Sequence, residues 1–116
     1  MVARIDKRFL FMDFKELQRK VIKNLIKYGE KYHVNIDEDF ALLKFYEEAG
    51  ELAQAVLIHR KKSRPEKHVP EEISKKELAK ELADVAGMVI VIAHLFEIDL
   101  EEAIDKKWIN KIKTSA

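Results

Sequence analysis

The stretch ELADVAGMVIVIAHLF, from Glu81 to Phe96, decides the fold. From Val85 to Phe96 it carries no charged residue, so as a helix it presents apolar side chains in every direction. A helix that is apolar all round has to be surrounded by other chain. Two-residue alternation is sustained nowhere, while three- and four-residue spacing recurs throughout, so the fold is read as all-α without strands. The apolar run is also well short of the roughly 20 residues that a membrane-spanning helix needs.

Working outward, the pattern predicts four helices at 14–31, 38–62, 75–97 and 100–113. Each has a capping residue followed three positions later by Glu: Asp13 and Glu16, Asn35 and Glu38, Ser74 and Glu77, Asp99 and Glu102. Gly29 falls near the end of the first helix, and Pro65 and Pro70 lie in the longest connection. In the second helix, Leu42, Phe45, Tyr46, Ala49, Leu52 and Val56 cover about half the circumference at ~100° per residue. Three companions in a chain of 116 residues can hardly enclose the third helix. A four-helix bundle completed by oligomerisation, as a homodimer or homotetramer, is therefore expected, because large bare apolar patches are unusual on monomers.

Composition narrows the function classes. Residues 1–116 fit one domain, with 47% hydrophobic and 37% charged residues. The formal charge of +1, from 22 basic and 21 acidic residues, gives no footprint for a nucleic-acid backbone or an anionic membrane. The absence of Cys removes thiol catalysis, disulfides and Cys-based zinc sites. It also suits a reducing compartment. The charges of Arg4, Asp6, Lys7, Arg8 and Asp13 leave no signal-peptide core, so a cytoplasmic location is expected.

Two acidic pairs then stand out. Glu48 and Glu51, with Glu47 adjacent, are three apart on the second helix; Glu81 and Asp84 are three apart on the third. Such spacing puts both carboxylates on one face, with Cβ atoms roughly 5–6 Å apart. Pairs like these usually form a solvated face, and Lys44 and Gln54 on the side of Glu48 and Glu51 fit that reading. Glu81 and Asp84 fit it less well, because they continue the inward stripe of Met88, Val91, Ile92 and Leu95. No Lys or Arg occurs from Glu81 to Phe96. Carboxylates taken out of water need a cation, and an all-oxygen set favours Mg²⁺ or Mn²⁺ over zinc or copper. Ala49, Gly50, Ala83 and Gly87 are small enough to let the two helices approach and join the pairs.

The strings Glu47-Glu48-Ala49-Gly50-Glu51 and Glu81-Leu82-Ala83-Asp84 resemble the EExxE…ExxD signature of the MazG-type all-α nucleotide pyrophosphohydrolases. The likeness runs from about Asp39 to Lys111 and includes Ile98-Asp99-Leu100-Glu101-Glu102-Ala103. It implies that the chain is a single MazG-like domain with a nucleoside triphosphate substrate. It also implies Mg²⁺-dependent cleavage between the α and β phosphates, giving a nucleoside monophosphate and pyrophosphate. In this resemblance Glu48, Glu51, Glu81 and Asp84 are metal ligands, Glu47 either supports those ligands from behind or orients water, and Lys107, Asn110 and Lys111 bind phosphate. Met88 stands where several relatives carry an aromatic of the base pocket, which leaves Tyr32 and Trp108 as stacking candidates, although both are read first as ordinary packing residues.

Two other readings compete. The first is an enzyme resembling phosphoribosyl-ATP pyrophosphohydrolase, although the first third of the chain lacks that enzyme's Pro-, Gly- and Ser-containing stretch. The second is a non-catalytic assembly module, which would require Lys or Arg partners for its acids. The cations Arg60, Lys61, Lys62, Arg64 and Lys67 are read as a solvated loop, with a lid over substrate as the other option. His94 is read as a core residue.

Overall fold

Two of the four expected caps start helices in the computed structural model, which describes residues 12–110. Asp13 accepts the Glu16 N–H at 2.8 Å and opens α1, Phe14–Tyr32. Asp99 accepts the Glu102 N–H at 3.1 Å and opens α4, Leu100–Ile104. The other two caps are displaced. α2, Glu38–His59, is capped by Asp37, which accepts the Phe40 N–H at 2.9 Å. Asn35 instead donates to the Asp37 carboxylate at 3.1 Å, so it props the cap without being it. α3, Glu71–Leu95, begins a turn before Ser74, behind Pro70. Proline has a preset φ and no N–H to satisfy, and Glu71 and Glu72 suit the positive end of a helix dipole.

Ser74 thereby acquires a different task. Its buried hydroxyl donates to the Glu71 carbonyl at 3.0 Å and lies 2.7 Å from His59 Nδ1. With the hydroxyl proton committed to Glu71, the imidazole Nδ1–H is the donor to Ser74. This clasp ties the end of α2 to the start of α3 across a connection that contains one 3₁₀ turn, Pro65–Lys67. α2 ends three residues before the expected 62, because Lys61 takes a left-handed φ of 56° and turns the chain out of the helix.

The end of α1 explains its glycine. His33 turns left-handed, and the Val34 N–H returns to the Gly29 carbonyl at 2.9 Å. A Cβ on Gly29 would stand 3.0 Å from both the Val34 carbonyl oxygen and Ile36 Cγ1, so a larger residue would push this close return apart by a few tenths of an ångström.

The described residues form an all-α architecture with four α-helices and no strand. α3 packs chiefly on α2, running antiparallel to it, and less extensively on α1. Ala41, Met88 and Val91 form the buried core, with Ile22, Leu25, Phe45, Ile92 and Leu95 around it. The expected last helix changes form. After Ile104 the chain widens into a π turn, Asp105–Ile109, closed by the Asn110 N–H on the Asp105 carbonyl at 2.7 Å. Residues 111–113 of that expectation lie outside the described residues. None of the described helices is long and apolar enough to cross a membrane.

The protomer leaves much apolar surface bare. No large side chain is fully buried among the described residues. The radius of gyration is 17.3 Å, against about 13 Å for a compact chain of this length. On α2 the positions Leu43, Tyr46, Gly50, Ala53 and Leu57 make an exposed stripe at heptad spacing, with Leu43 70% and Tyr46 66% exposed. On α3, Leu82, Val85, Val89, Ile92 and Phe96 repeat the same spacing, exposed or half-buried. Two such stripes are the seam pattern that helices present to other helices.

Candidate metal centre

Antiparallel packing sets Glu48 and Glu51 of α2 against Glu81 and Asp84 of α3. One carboxylate oxygen from each lies within 4.8 Å of the other three. Glu48 is only 8% exposed. Its Oε2, like Oε2 of Glu81, is sealed from solvent with no hydrogen-bond partner among the described residues. Buried polar atoms are nearly always paired, so two orphaned anionic oxygens in one cluster call for a ligand.

Electrostatics tells the same story. Burial pushes the Glu48 carboxyl above its ordinary range, and the charges of Asp84 and Glu51 push it the same way. Glu81 is raised too, first by desolvation and then by Glu51 and Asp84. Glu48 alone of the four has a cation beside it among the described residues, Lys44, whose Nζ lies 3.7 Å from Glu48 and 3.1 Å from Glu47. No Lys or Arg pairs with Glu51, Glu81 or Asp84 among the described residues. The purely structural use of these acids required such partners. An all-oxygen donor set with two unsatisfied buried oxygens instead fits a hard divalent cation.

A pH dependence follows. Groups whose folded pKa is raised hold more protons folded than unfolded just above the ordinary carboxylate range. There the metal-free protein gains stability as pH falls and loses it as pH rises. Melting temperature with a chelator present is therefore expected to climb between about pH 7 and 5. A saturating divalent cation should abolish that climb, because it favours the charged forms. The Asp99 carboxyl, held low by Lys15, titrates below this window and does not obscure it. A chelated protein whose melting temperature falls steadily over the same range would contradict the crowding of charge.

The remaining expected residues are dispersed. Glu47 is exposed and paired with Lys44, outside the quartet. Lys107 sits on the π turn beyond α3 and Asn110 just after it, and neither lines the clefts beside the carboxylates. The Asn110 amide donates to Asp105 at 2.6 Å. Lys111 lies outside the described residues. Trp108 is 81% exposed, and Tyr32 stacks on Tyr28 at 4.9 Å on the surface.

The structure also adds residues that the motifs do not mark. A cleft of about 400 Å³ runs beside Glu48 and Asp84, bordered by Asn24, Tyr28, Phe40 and Met88. Asn24 and Tyr28 share a face of α1 with Leu25, so i,i+4 spacing was the available signal. Gly87 opens onto this cleft, and a Cβ there, as at Gly50, would meet nothing within 4 Å. Neither glycine serves the α2–α3 approach within the protomer. A larger cleft of about 580 Å³ lies between α1 and the end of α3, away from the acids. It has basic walls but no comparable cluster of reactive groups.

An all-α hairpin carrying paired EExxE and ExxD carboxylates defines a pyrophosphohydrolase of the MazG-like superfamily. The family model described as phosphoribosyl-ATP pyrophosphohydrolase matches residues 14–107, and the chain belongs to that family. It is thus a hydrolase acting on phosphoric anhydrides. The match supports the superfamily that the two motifs suggested and does not single out its MazG-type branch. Comparison with curated proteins and with solved structures finds no significant match.

Proposed function

We propose that the chain hydrolyses the anhydride between the α and β phosphates of a nucleoside triphosphate, releasing a nucleoside monophosphate and pyrophosphate. The observation carrying this reading is the carboxylate quartet with its two sealed, unpartnered oxygens. Glu48, Glu51, Glu81 and Asp84 would hold Mg²⁺, or Mn²⁺ in its place. Such an ion supplies charge neutralisation on phosphate oxygens and a nucleophilic water at neutral pH.

The chain's own groups do the positioning. Lys44, held between Glu47 and Glu48, fixes the Glu48 carboxylate from the cleft side. Glu47 acts through Lys44, not on the reacting atoms. Tyr28, Phe40 and Met88 offer an apolar wall for a base, with the Asn24 amide able to hydrogen-bond its edge. No nucleophilic Ser or Cys is required, since the chemistry rests on orientation and electrostatics.

Phosphoribosyl-ATP is the second reading, favoured by the family match. The nucleoside triphosphate reading rests on the cleft beside Glu48 and Asp84, whose wall of Tyr28, Phe40 and Met88 can take one base. Pyrophosphate release in the presence of Mg²⁺, measured across common and damaged nucleoside triphosphates and phosphoribosyl-ATP, decides between them. The highest turnover is expected with a nucleoside triphosphate. Preference for phosphoribosyl-ATP would install the second reading, and no release from any of them would end both.

The working form is proposed to be a homodimer or homotetramer. The heptad stripes of α2 and α3 suit a second copy of the same hairpin, giving a four-helix seam of the kind the bare protomer lacks. Gly50, with open space at its Cβ, allows close approach on that face.

A further inference from the structure

The quartet has two sides. Glu48 and Asp84 border the cleft under Tyr28, whereas Glu51 and Glu81 border a second cleft of about 440 Å³ toward the α2–α3 connection. The two clefts share no lining residue. The second is walled by Gln54, Ile73, Glu77 and Lys67, and Lys67 is its one cation.

Lys67 differs from its neighbours in the basic run. Arg60, Lys61, Lys62 and Arg64 are exposed, while Lys67 is half-buried and reaches the cleft. Its backbone is fixed at the close of the 3₁₀ turn, with its N–H on the Arg64 carbonyl at 2.9 Å. The next N–H, of His68, bonds the Pro65 carbonyl at 3.0 Å. The His59–Ser74 clasp anchors both ends of the connection that carries it. Among the described residues Lys67 forms no ion pair, in contrast to Lys44 in the other cleft, which is committed to Glu47 and Glu48.

A nucleoside triphosphate has a matching polarity, apolar base at one end and terminal phosphates at the other. With the base against Tyr28 and Phe40 and the reacting anhydride at the quartet, the outer phosphates lie on the Glu51–Glu81 side. A half-buried lysine with no ion-pair partner among the described residues is what a polyanion needs there.

We propose that Lys67 binds the β and γ phosphates of the substrate and, after cleavage, the pyrophosphate. The nucleoside and pyrophosphate subsites then lie in separate clefts on opposite sides of the carboxylates. This rests on the pyrophosphohydrolase reading above, and it turns one residue of the basic connection from a solvated charge into a binding group.

The test compares wild type, Lys67→Ala, Lys67→Arg and Arg64→Ala. Arg64 is an exposed cation of the same connection, paired with Glu66 at 3.4 Å. Three quantities are read: kcat and KM for the best nucleotide, inhibition by added pyrophosphate, and calorimetric binding of pyrophosphate with Mg²⁺. Lys67→Ala is expected to raise KM and weaken pyrophosphate binding by about tenfold, the loss of one charge-assisted contact, with kcat within about twofold. Lys67→Arg should restore most of the binding, and Arg64→Ala should match wild type. Because the Lys67 side chain forms no ion pair among the described residues and Arg64 is exposed, an unchanged melting curve is expected for each variant.

Unaltered KM and pyrophosphate binding in Lys67→Ala would overturn the assignment. An equal loss in Arg64→Ala would do the same, by showing only a diffuse charge effect. A wild-type protein that releases pyrophosphate from no nucleotide removes the underlying reading as well. An active wild type indifferent to Lys67→Ala removes this inference alone.

Discussion

Glu51→Gln and Asp84→Asn are each expected to reduce pyrophosphate release on the order of a hundredfold or more while leaving the helical fold intact. Each substitution keeps the shape of the side chain and removes one charge from a cluster whose oxygens lie within 4.8 Å of one another. The consequences for activity and stability are opposite. Cation binding loses a ligand, whereas the metal-free protein loses a like-charge repulsion that now raises Glu48 and Glu81. Activity should collapse as the melting temperature in chelator stays level or rises. With Mg²⁺ added, wild type should gain stability as RT ln(1 + [L]/Kd), and the variants should gain little. Undiminished turnover in either purified variant would remove the metal-site assignment. A drop in stability equal to the drop in activity would return these acids to a structural role.

The second large effect concerns assembly. Leu43→Glu and Val89→Glu each put a charge into an exposed apolar stripe, at positions where the lone protomer would tolerate it. If a second copy covers those stripes, each symmetric contact buries unpaired carboxylates, at several kcal/mol. Self-association should then weaken by roughly a hundredfold or more. Sedimentation velocity over a range of concentrations reads the result directly. Wild type sedimenting as a monomer throughout would defeat the proposal, and so would variants that assemble as wild type does.

Much of the site was legible in the sequence because carboxylates at i,i+3 spacing on two helices constrain each other so tightly. Glu81 and Asp84 continue an apolar stripe with no Lys or Arg between Glu81 and Phe96, which set them apart from an ordinary wet face. The third helix was equally plain, since its charge-free run admits little else in an all-α chain. Local starts were harder to read. Asn35 and Ser74 both present a capping-box pattern, but Asp37 stands closer to its helix, and Pro70 with Glu71 and Glu72 starts α3 earlier. Several valid cap signals compete there, and only the finished packing selects one.

The residues proposed to act from outside the motif were nearly silent. The i,i+4 spacing of Asn24 and Tyr28 puts them on one face of α1, but only the packing of α1 on α3 brings that face to the carboxylates. Lys67 is one cation among five in its run, and only its position on a 3₁₀ turn separates it from the rest. Lys107, suggested by family likeness, lies on the π turn and Asn110 just after it, and neither lines the clefts beside the carboxylates. Spacing along one helix is inherited by the fold, but distance between elements is not.

The pair α2 and α3 holds the acids on one face and the bare heptad stripes on another. Pressure from a neighbouring molecule on the outer surface would therefore set how far apart the two rods stand at the reaction centre. If a second copy covers those stripes, dilution should detune the chemistry without touching any of the four carboxylates, and specific activity would then read the quaternary state.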